Sequence, residues 1–506
     1  MRPWSVVRPL TSVLVCLLVL AACQSTRTDA VSRGLATITG QALMADVTTL
    51  TQPAFAGRLA GDPGYEAAAR WAARRFDRLK LRPAGDDGGY LQRLPIEHNA
   101  ILGTPRLTVT VGGETEAAVL GRDFVCRGFT GSGTVTAPVV FAGYGLSAPA
   151  RGYDDYADLD VAGKVVLVFK RNPQWSPDSV AWDWASSTPR AKARTAGDHG
   201  ALAMLWFEVP HAEAQDGPDH GPIGSVLHGP GEHLPDLPQL EIDHALADRL
   251  LGGTGAGARL QARIDSTRVP ASRPLDARAA IAVEASYDPA RQTCNVVARL
   301  PGRDPLLKDE VLVIGAHLDH VGRQGPYLYF PGANDNASGA AAVLRLAEAF
   351  SSAQVRPRRS VVFVLFAGEE SGLVGARYYV GHPTVAADHV TAMFNLDCVA
   401  CGDSIRVGGG ESDPAHWQLA RDLDRAGARL MVADTWSGGG ADATPFYEAG
   451  IPTLYWVTTN SYPHLHQPSD TPETLNRDLY TELVRLAFRT AWAVADAPAD
   501  STADAS

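Results

Sequence analysis

The sequence has few cysteines, 6 among 506 residues, so a scaffold built on disulfides is excluded. It also lacks a basic excess: 56 acidic residues outnumber 45 basic ones, and the net charge of −11 argues against a nucleic-acid partner. Hydrophobic residues make up 45% and charged residues 20%, which excludes a collagen-like, fully disordered or multi-span membrane protein. A chain of this length is expected to form two domains, or one large domain with an insertion.

The N-terminus has the features of an export signal. Two arginines precede an apolar run from Leu10 to Ala22, which is short for a transmembrane span. The residues Leu20-Ala21-Ala22-Cys23 resemble a bacterial lipobox, which predicts a signal peptide over residues 1–22 and a lipid on Cys23. A plain secretory signal cleaved nearby is the alternative. We therefore expect an exported lipoprotein of the bacterial cell envelope, at the outer membrane or on the periplasmic side, held to the membrane only by that lipid.

Four cysteines remain after such processing: Cys126, Cys294, Cys398 and Cys401. Cys398-x-x-Cys401 alone is a weak zinc or redox motif because no second CxxC accompanies it. A local disulfide or two free thiols is the better interpretation, and the disulfide state of all four stays open.

The secondary-structure pattern changes twice along the chain. Residues 35–95 read as helical, with a strong helix former at Tyr65–Phe76. Residues 100–270 carry short β-like runs separated by glycine, and from about 280 apolar strands alternate with helices, as in a parallel or mixed α/β sheet. The predicted divisions are 1–22, signal peptide; 23–99, N-terminal part of the main domain; 100–272, a β-rich insertion; 273–495, the α/β domain; and 496–506, a disordered tail.

Polar side chains follow the predicted strands of the α/β part. His317-x-Asp319 comes directly after an apolar strand, and Glu369-Glu370 follows a six-residue apolar strand. Two adjacent carboxylates at the end of a buried strand are costly unless a cation compensates them. Asp397 ends another apolar stretch, and strand ends are where sites form in open α/β sheets.

Two further motifs are ambiguous by themselves. Asp335 stands in a glycine-flanked loop that leads into a helix, where it either ligates a metal or caps that helix. His464 and His466 lie in a loop before the last helix, and either could be a surface residue. Taken together, the motifs supply histidines and carboxylates without cysteine, a donor set that suits a pair of divalent ions sharing one carboxylate.

The ordered set resembles the dizinc metallopeptidases of the bacterial leucyl-aminopeptidase and glutamate-carboxypeptidase clan. It runs through His317-x-Asp319, Asp335, Glu369-Glu370, Asp397 and His466-x-x-x-Asp470-Thr471. The resemblance covers residues 280–490 strongly and extends to Gly57-Arg58-Leu59-Ala60-Gly61. Within the insertion, Tyr153–Tyr156, Asp160–Val166 and Lys192 to Ala201 resemble a protease-associated (PA) domain. The resemblance implies a zinc-exopeptidase fold with a mixed, mostly parallel sheet and an inserted PA domain.

The resemblance also implies a role for each site residue. Asp335 would bridge two Zn²⁺ ions, with Co²⁺ or Mn²⁺ as alternative metals. His317 and Asp397 would complete one metal site, and Glu370 and His466 the other. Glu369 would be the general base that takes a proton from water, and Asp319 would orient His317. His466 is preferred over His464 because the family's histidine stands four residues before the Asp-Thr pair.

One departure from the family pattern stands out. Gly440–Phe446 lies where relatives often carry Ser-Asp-His, and here Asp442 is kept while Ala443 replaces the histidine.

The implied activity is that of an aminopeptidase acting on peptides. The alternatives are a carboxypeptidase, with Arg323 or Arg377 binding the terminal carboxylate; a glutaminyl cyclase with one catalytic zinc; and a catalytically inactive binding or receptor protein. The preferred N-terminal residue and the oligomeric state stay open.

Overall fold

The computed structural model describes residues 29–176, 178, 182, 188–209 and 232–499. The predicted signal peptide, the lipidated Cys23 and residues 500–506 of the predicted tail lie outside the described residues. Within the described part, no helix combines the length and apolar character needed to cross a membrane.

The chain alternates strands and helices over most of this length. The strands are β1 (Arg82–Pro83), β2 (Leu91–Val111), β3 (Glu114–Ala117), β4 (Phe124–Cys126), β5 (Gly133–Phe141), β6 (Ser147–Ala148), β7 (Tyr153–Asp154), β8 (Val165–Phe169), β9 (Ala203–Phe207), β10 (Gln239–Ile242), β11 (Arg273–Leu300), β12 (Val311–His317), β13 (Arg323–Gln324), β14 (Leu328–Tyr329), β15 (Ser360–Phe366), β16 (Val390–Leu396), β17 (Ile405–Gly408) and β18 (Thr453–Thr458). The α-helices are α1 (Gly40–Leu50), α2 (Pro63–Arg78), α3 (Pro189–Asp198), α4 (His244–Leu251), α5 (Ala256–Thr267), α6 (Gly339–Ser352), α7 (Val374–Gly381), α8 (Pro414–Arg425), α9 (Ala443–Glu448) and α10 (Arg477–Ala495). Residues 29–37 are also helical.

One mixed sheet organises both parts of the molecule, with the order β17-β18-β16-β12-β15-β11-β5-β8-β9-β10-β4. In the C-terminal part, β18, β16, β12 and β15 are parallel neighbours, and β17 runs antiparallel at the edge. In the inserted part, β5, β8, β9 and β10 are parallel and β4 is antiparallel. The predicted mixed, mostly parallel α/β fold is confirmed.

Two long antiparallel strands, β2 and β11, connect these parts. The second half of β11 pairs with β15 in the C-terminal part, and its first half pairs with β5 in the insertion. The predicted boundary at residues 99 and 100 therefore falls inside β2, and the one at 272 and 273 falls where β11 begins. The backbone continues through the junction without a linker.

The helix predicted at Tyr65–Phe76 lies within α2 and shows why the sequence folds in this way. Tyr65, Ala68, Ala72 and Phe76 recur at helical spacing and are buried in the core cluster of the α/β part. The Tyr65 hydroxyl donates to the carbonyl of Cys294 at 2.7 Å, so the helix is held against the end of β11.

Candidate metal centre

The parallel strands bring the predicted site residues to one edge of the sheet. His317 ends β12, while Glu369 and Glu370 follow β15 and Asp397 follows β16. His466 lies in the loop after β18. Because the carboxyl ends of neighbouring parallel strands meet at one edge, residues distant in sequence become neighbours there.

The first group of donors consists of His317, Asp335 and Asp397, all buried. His317 Nε2 lies 3.2 Å from Asp335 Oδ1 and 3.3 Å from Asp397 Oδ1. Ligands about 2.0–2.1 Å from a tetrahedral zinc ion are about 3.3 Å apart. These three atoms therefore have the separations that a zinc ion requires of its ligands. Asp397 Oδ2, the other oxygen, accepts a hydrogen bond from the Tyr455 hydroxyl at 3.0 Å.

The second group consists of His466, Asp335, Glu370 and His320. His466 Nε2 lies 3.0 Å from Asp335 Oδ2 and 2.9 Å from Glu370 Oε2. The remaining Glu370 oxygen, Oε1, lies 2.9 Å from His320 Nδ1. The oxygen–nitrogen separations are slightly shorter than those in the first group but suit the same kind of ion.

Asp335 belongs to both groups, with Oδ1 facing His317 and Oδ2 facing His466. It does not cap the following helix, since the Gly339 N–H donates instead to Asn336 Oδ1 at 2.7 Å. Of the two roles that the sequence leaves open for Asp335, metal ligand and helix cap, its contacts favour the metal ligand. Asp470 holds its backbone: the carboxylate accepts the N–H of Asn334 at 2.8 Å and that of Asp335 at 3.0 Å.

The electrostatics of the two groups favour a cation. Burial by itself lowers the pKa of His317 and His466, but the surrounding carboxylates raise both well above the usual range. Burial raises the pKa of Asp335 and Glu370, yet their histidine neighbours hold both below the usual range. A donor set of imidazoles and an excess of carboxylates, with zinc-like separations, fits two zinc ions sharing Asp335.

Glu369 is more exposed than its neighbour Glu370. Burial and repulsion from Glu370 and Asp397 raise the pKa of Glu369 well above its usual range, although the charge of His317 opposes the shift. A carboxylate with a raised pKa is suited to taking up and returning a proton.

Asp319 holds the backbone of the glutamate pair. Its Oδ1 accepts the Glu369 N–H at 3.3 Å, and its Oδ2 accepts the Glu370 N–H at 3.4 Å. His317 Nδ1 lies 3.2 Å from the backbone oxygen of Asp319 and 3.7 Å from its carboxylate. The backbone oxygen of Asp319 is therefore the closer contact of the His317 ring, and its carboxylate contributes less to the orientation of His317 than we expected.

His320 and Arg58 are site residues to which sequence reasoning gave no role. His320 stands one residue after Asp319, and that proximity was the available signal. Arg58 is fully buried, and its guanidinium donates to four backbone carbonyls: Leu50, Leu318, Pro331 and Gly332, at 2.7–2.9 Å. Burial lowers the pKa of Arg58 to about 10. It thus joins the segment after β12 to the loop before Asp335.

The other predicted residues lie outside the two groups. His464 is half-buried, and its Nδ1 lies 3.0 Å from the hydroxyl of the exposed Ser469. Cys126, Cys294, Cys398 and Cys401 are free and buried. Ala443 is buried in an apolar cluster, and the neighbouring Asp442 carboxylate is fully buried, which raises its pKa well above the usual range.

Comparisons with known families agree with the resemblance seen in the sequence. Residues 295–491 match the model of peptidase family M28, and residues 135–237 match that of the PA domain. The PA match lies inside the predicted insertion at 100–272.

Three curated relatives illustrate the sequence similarity. A probable leucine aminopeptidase of Arthroderma otae is 28% identical over 209 residues, covering 40% of this chain and 57% of the relative. Leupeptin-inactivating enzyme 1 of Streptomyces exfoliatus is 33% identical over 162 residues, covering 31% and 34%. Aminopeptidase YwaD of Bacillus subtilis is 29% identical over 184 residues, covering 33% and 38%. The matches thus span about a third to somewhat over half of the relatives' own lengths.

Two solved structures share the fold over nearly the whole chain. The aminopeptidase from Aneurinibacillus sp. strain AM-1 has a TM-score of 0.62 at 21% identity, covering 92% of this chain and 96% of that one. A peptidase M28 precursor from Shewanella amazonensis SB2B has a TM-score of 0.65 at 17% identity, covering 94% and 97%. At these identities the likeness establishes a common fold.

Proposed function

We propose that this chain, which carries a peptidase family M28 region and an inserted PA domain, is a dizinc aminopeptidase. The observation that carries the proposal is the placement of Asp335, whose two carboxylate oxygens face two separate groups of donors. A shared carboxylate of this kind is the arrangement expected of a two-metal hydrolase.

The residues divide into those that hold metal and those that move protons. His317, Asp335 and Asp397 would hold one zinc ion, and Asp335, Glu370 and His466 the other. When bound, zinc polarises the peptide carbonyl and lowers the pKa of water. Glu369 takes the proton from the attacking water and passes it to the leaving amine. The Asp319 carboxylate keeps the backbones of Glu369 and Glu370 in place by accepting hydrogen bonds from their N–H groups.

The charge of the site favours an aminopeptidase over a carboxypeptidase. Its carboxylates attract the free α-ammonium group of a peptide and repel a terminal carboxylate. Arg377, one candidate for binding such a carboxylate, is about half exposed and pairs with Glu448 at 2.8 Å. Arg323, the other, is exposed. A glutaminyl cyclase needs one catalytic zinc, whereas this site offers two groups of donors. An inactive binding protein would have no need of Glu369 beside a complete ligand set.

A mixture of peptides tests the assignment directly. Zinc-loaded protein is incubated with peptides that have free N-termini and with the same peptides N-acetylated, and the products are read by mass spectrometry. We expect loss of single N-terminal residues from the free set alone. Trimming from the C-terminus in both sets would establish a carboxypeptidase instead. Absence of cleavage with zinc bound would favour a binding protein and would draw attention to Ala443.

We also propose that the protein is an exported lipoprotein anchored through Cys23. The support is the run of residues from Leu10 to Cys23, with small residues directly before the cysteine. Fractionation of cells tests it: activity should sediment with membranes, and Cys23→Ala should move it to the soluble fraction. Sedimentation of C23A activity with membranes would contradict lipid anchoring at this residue.

A further inference from the structure

We propose that the protein binds a doubly charged oxyanion, such as the phosphate or sulfate group of a small molecule, in a cavity at the end of the sheet opposite the metal centre. The cavity lies where strands β12 and β15 begin, beside the pair formed by β1 and β11. The proposal goes beyond the proposed peptidase activity and does not depend on it.

The cavity is distinct from the metal centre. It has a volume of about 570 Å³, and its lining includes Lys308 and Asp309, which precede β12, and Ser360, the first residue of β15. His317 lies at the other end of β12, six residues after Val311, and a strand rises about 3.3 Å per residue. The metal donors are therefore about 20 Å away from this cavity.

Three cationic side chains line this cavity: Arg82, Arg299 and Lys308. Arg82 on β1 lies directly opposite Arg299 on β11 in an antiparallel pair, which places both side chains on the same face of the sheet. Like charges in such positions repel each other. Among the described residues of the lining, Asp309 is the one acidic side chain, and it forms no ion pair with these cations. The lining therefore has a positive excess that an anion would compensate.

The guanidinium of Arg299 is fixed in position and still has an unused donor. Its Nη2 donates to the Lys308 carbonyl and to the Ser360 hydroxyl, both at 3.1 Å, and both of these groups are uncharged. Its Nε is buried and has no hydrogen-bond partner among the described residues. Because a buried N–H without an acceptor is unfavourable, an oxyanion in the cavity would stabilise this side chain by accepting from it.

The other two cations are accessible to a ligand. Arg82 and Lys308 are exposed, and neither side chain has a hydrogen-bond or ion-pair partner within the part of the chain that the structure describes. A guanidinium presents paired N–H groups that match two oxygens of a phosphate or sulfate, and lysine adds a point charge. The cations together therefore favour a tetrahedral dianion over a single carboxylate. Pro83, Pro301 and Val385 also line the cavity and offer apolar surface to the organic part of a ligand.

The test measures binding of inorganic sulfate by calorimetry. Sulfate is titrated into the full-length, zinc-loaded protein at about 0.1 M chloride, which screens non-specific attraction between exposed charges. We expect saturable binding of sulfate and weaker binding of acetate, which carries a single charge. Arg82→Gln and Lys308→Gln should each raise the Kd for sulfate about tenfold, because each removes one charge-assisted contact. Sulfate bound at the zinc ions would be affected by neither change, since both residues are remote from the metal donors.

The matched control is Arg106→Gln, which removes an exposed arginine from strand β2, outside the cavity. R106Q should bind sulfate as tightly as the wild type does. Melting temperatures measured without sulfate show whether R82Q and K308Q are folded, and we expect both to be, because the two side chains are exposed. The proposal is overturned by a wild type that shows no saturable sulfate binding, by an unchanged Kd in either folded variant, or by equal weakening in R106Q. Acetate binding as tight as that of sulfate would overturn the preference for a dianion.

Discussion

Replacing Arg58 by lysine should weaken both the fold and the metal centre. The arginine side chain donates four hydrogen bonds from a planar group to the carbonyls of Leu50, Leu318, Pro331 and Gly332. A lysine ammonium is a single point donor and cannot reach all four oxygens from the same position. Three of these carbonyls belong to segments that carry metal donors, because Leu318 follows His317 while Pro331 and Gly332 lie directly before the loop of Asp335.

The magnitude follows from the carbonyls left without a donor. Each buried carbonyl without a partner costs about 1–3 kcal/mol. With two of four unpaired, R58K should lose about 2–6 kcal/mol of unfolding free energy. At about 2.1 cal/mol/K per residue, a chain of 506 residues has an unfolding entropy of about 1 kcal/mol/K, so the melting temperature should fall by roughly 2–6 °C. Zinc affinity should fall about 10–100-fold, as it does when residues that support metal ligands are changed.

The assay compares thermal unfolding of the metal-free protein with zinc binding measured by competition against a chromophoric chelator. Arg33→Lys serves as the control, because Arg33 also donates to a backbone carbonyl distant in sequence, that of Ala353. This carbonyl does not belong to a loop that carries metal donors. R33K should lose some stability and keep its zinc affinity. If folded R58K binds zinc as tightly as wild type, Arg58 supports the core only, and the reasoning about the two loops is wrong.

Further expected outcomes concern single side chains. Glu369→Ala should lower kcat about 10²–10⁴-fold and keep two zinc ions by elemental analysis, whereas Glu370→Ala should lose zinc; loss of zinc from E369A would mean that Glu369 is a ligand. His320→Gln should reduce zinc affinity about 10–100-fold in chelator competition, because His320 Nδ1 holds Oε1 of Glu370, the oxygen that does not face His466. Unchanged affinity would assign His320 a packing role. Burial lowers the pKa of Lys192 from 10.5 to about 7, so unfolded chains bind its proton more tightly and the free energy of unfolding should rise with pH between about 7 and 10.5. Denaturant unfolding at pH 7 and 9 should show this rise in wild type and a smaller one in Lys192→Met; equal slopes would contradict the shift.

The sheet and the position of the site were predictable from the sequence for one physical reason. Each apolar run long enough to form a buried strand is followed by a histidine or an acidic residue. Because the carboxyl ends of parallel strands lie side by side, these residues come together at one edge of the sheet. His317, Asp397 and the Glu369-Glu370 pair were found in this way. Asp335 and His466 lie in loops, and only the resemblance to a known family separated them from a helix cap and a surface histidine.

Contacts through the main chain could not be predicted in the same way. Arg58 binds carbonyl oxygens, which every residue has, so no motif marks its partners. Asp319 and Asp470 likewise act on backbone N–H groups.

The continuous β2–β11 pair also has a consequence for how the chain assembles. Helices α1 and α2 share their core with residues that follow position 290, so the core of the C-terminal part is incomplete without β11. The inserted half needs only the first part of β11 to complete its sheet, through pairing with β5 and β2. Once that pairing forms, the second part of β11 is already aligned with the start of β2, where β15 will join it. The pairing of β11 with β2 and β5 thus fixes the register of the strand against which β15 pairs in the C-terminal part of the sheet.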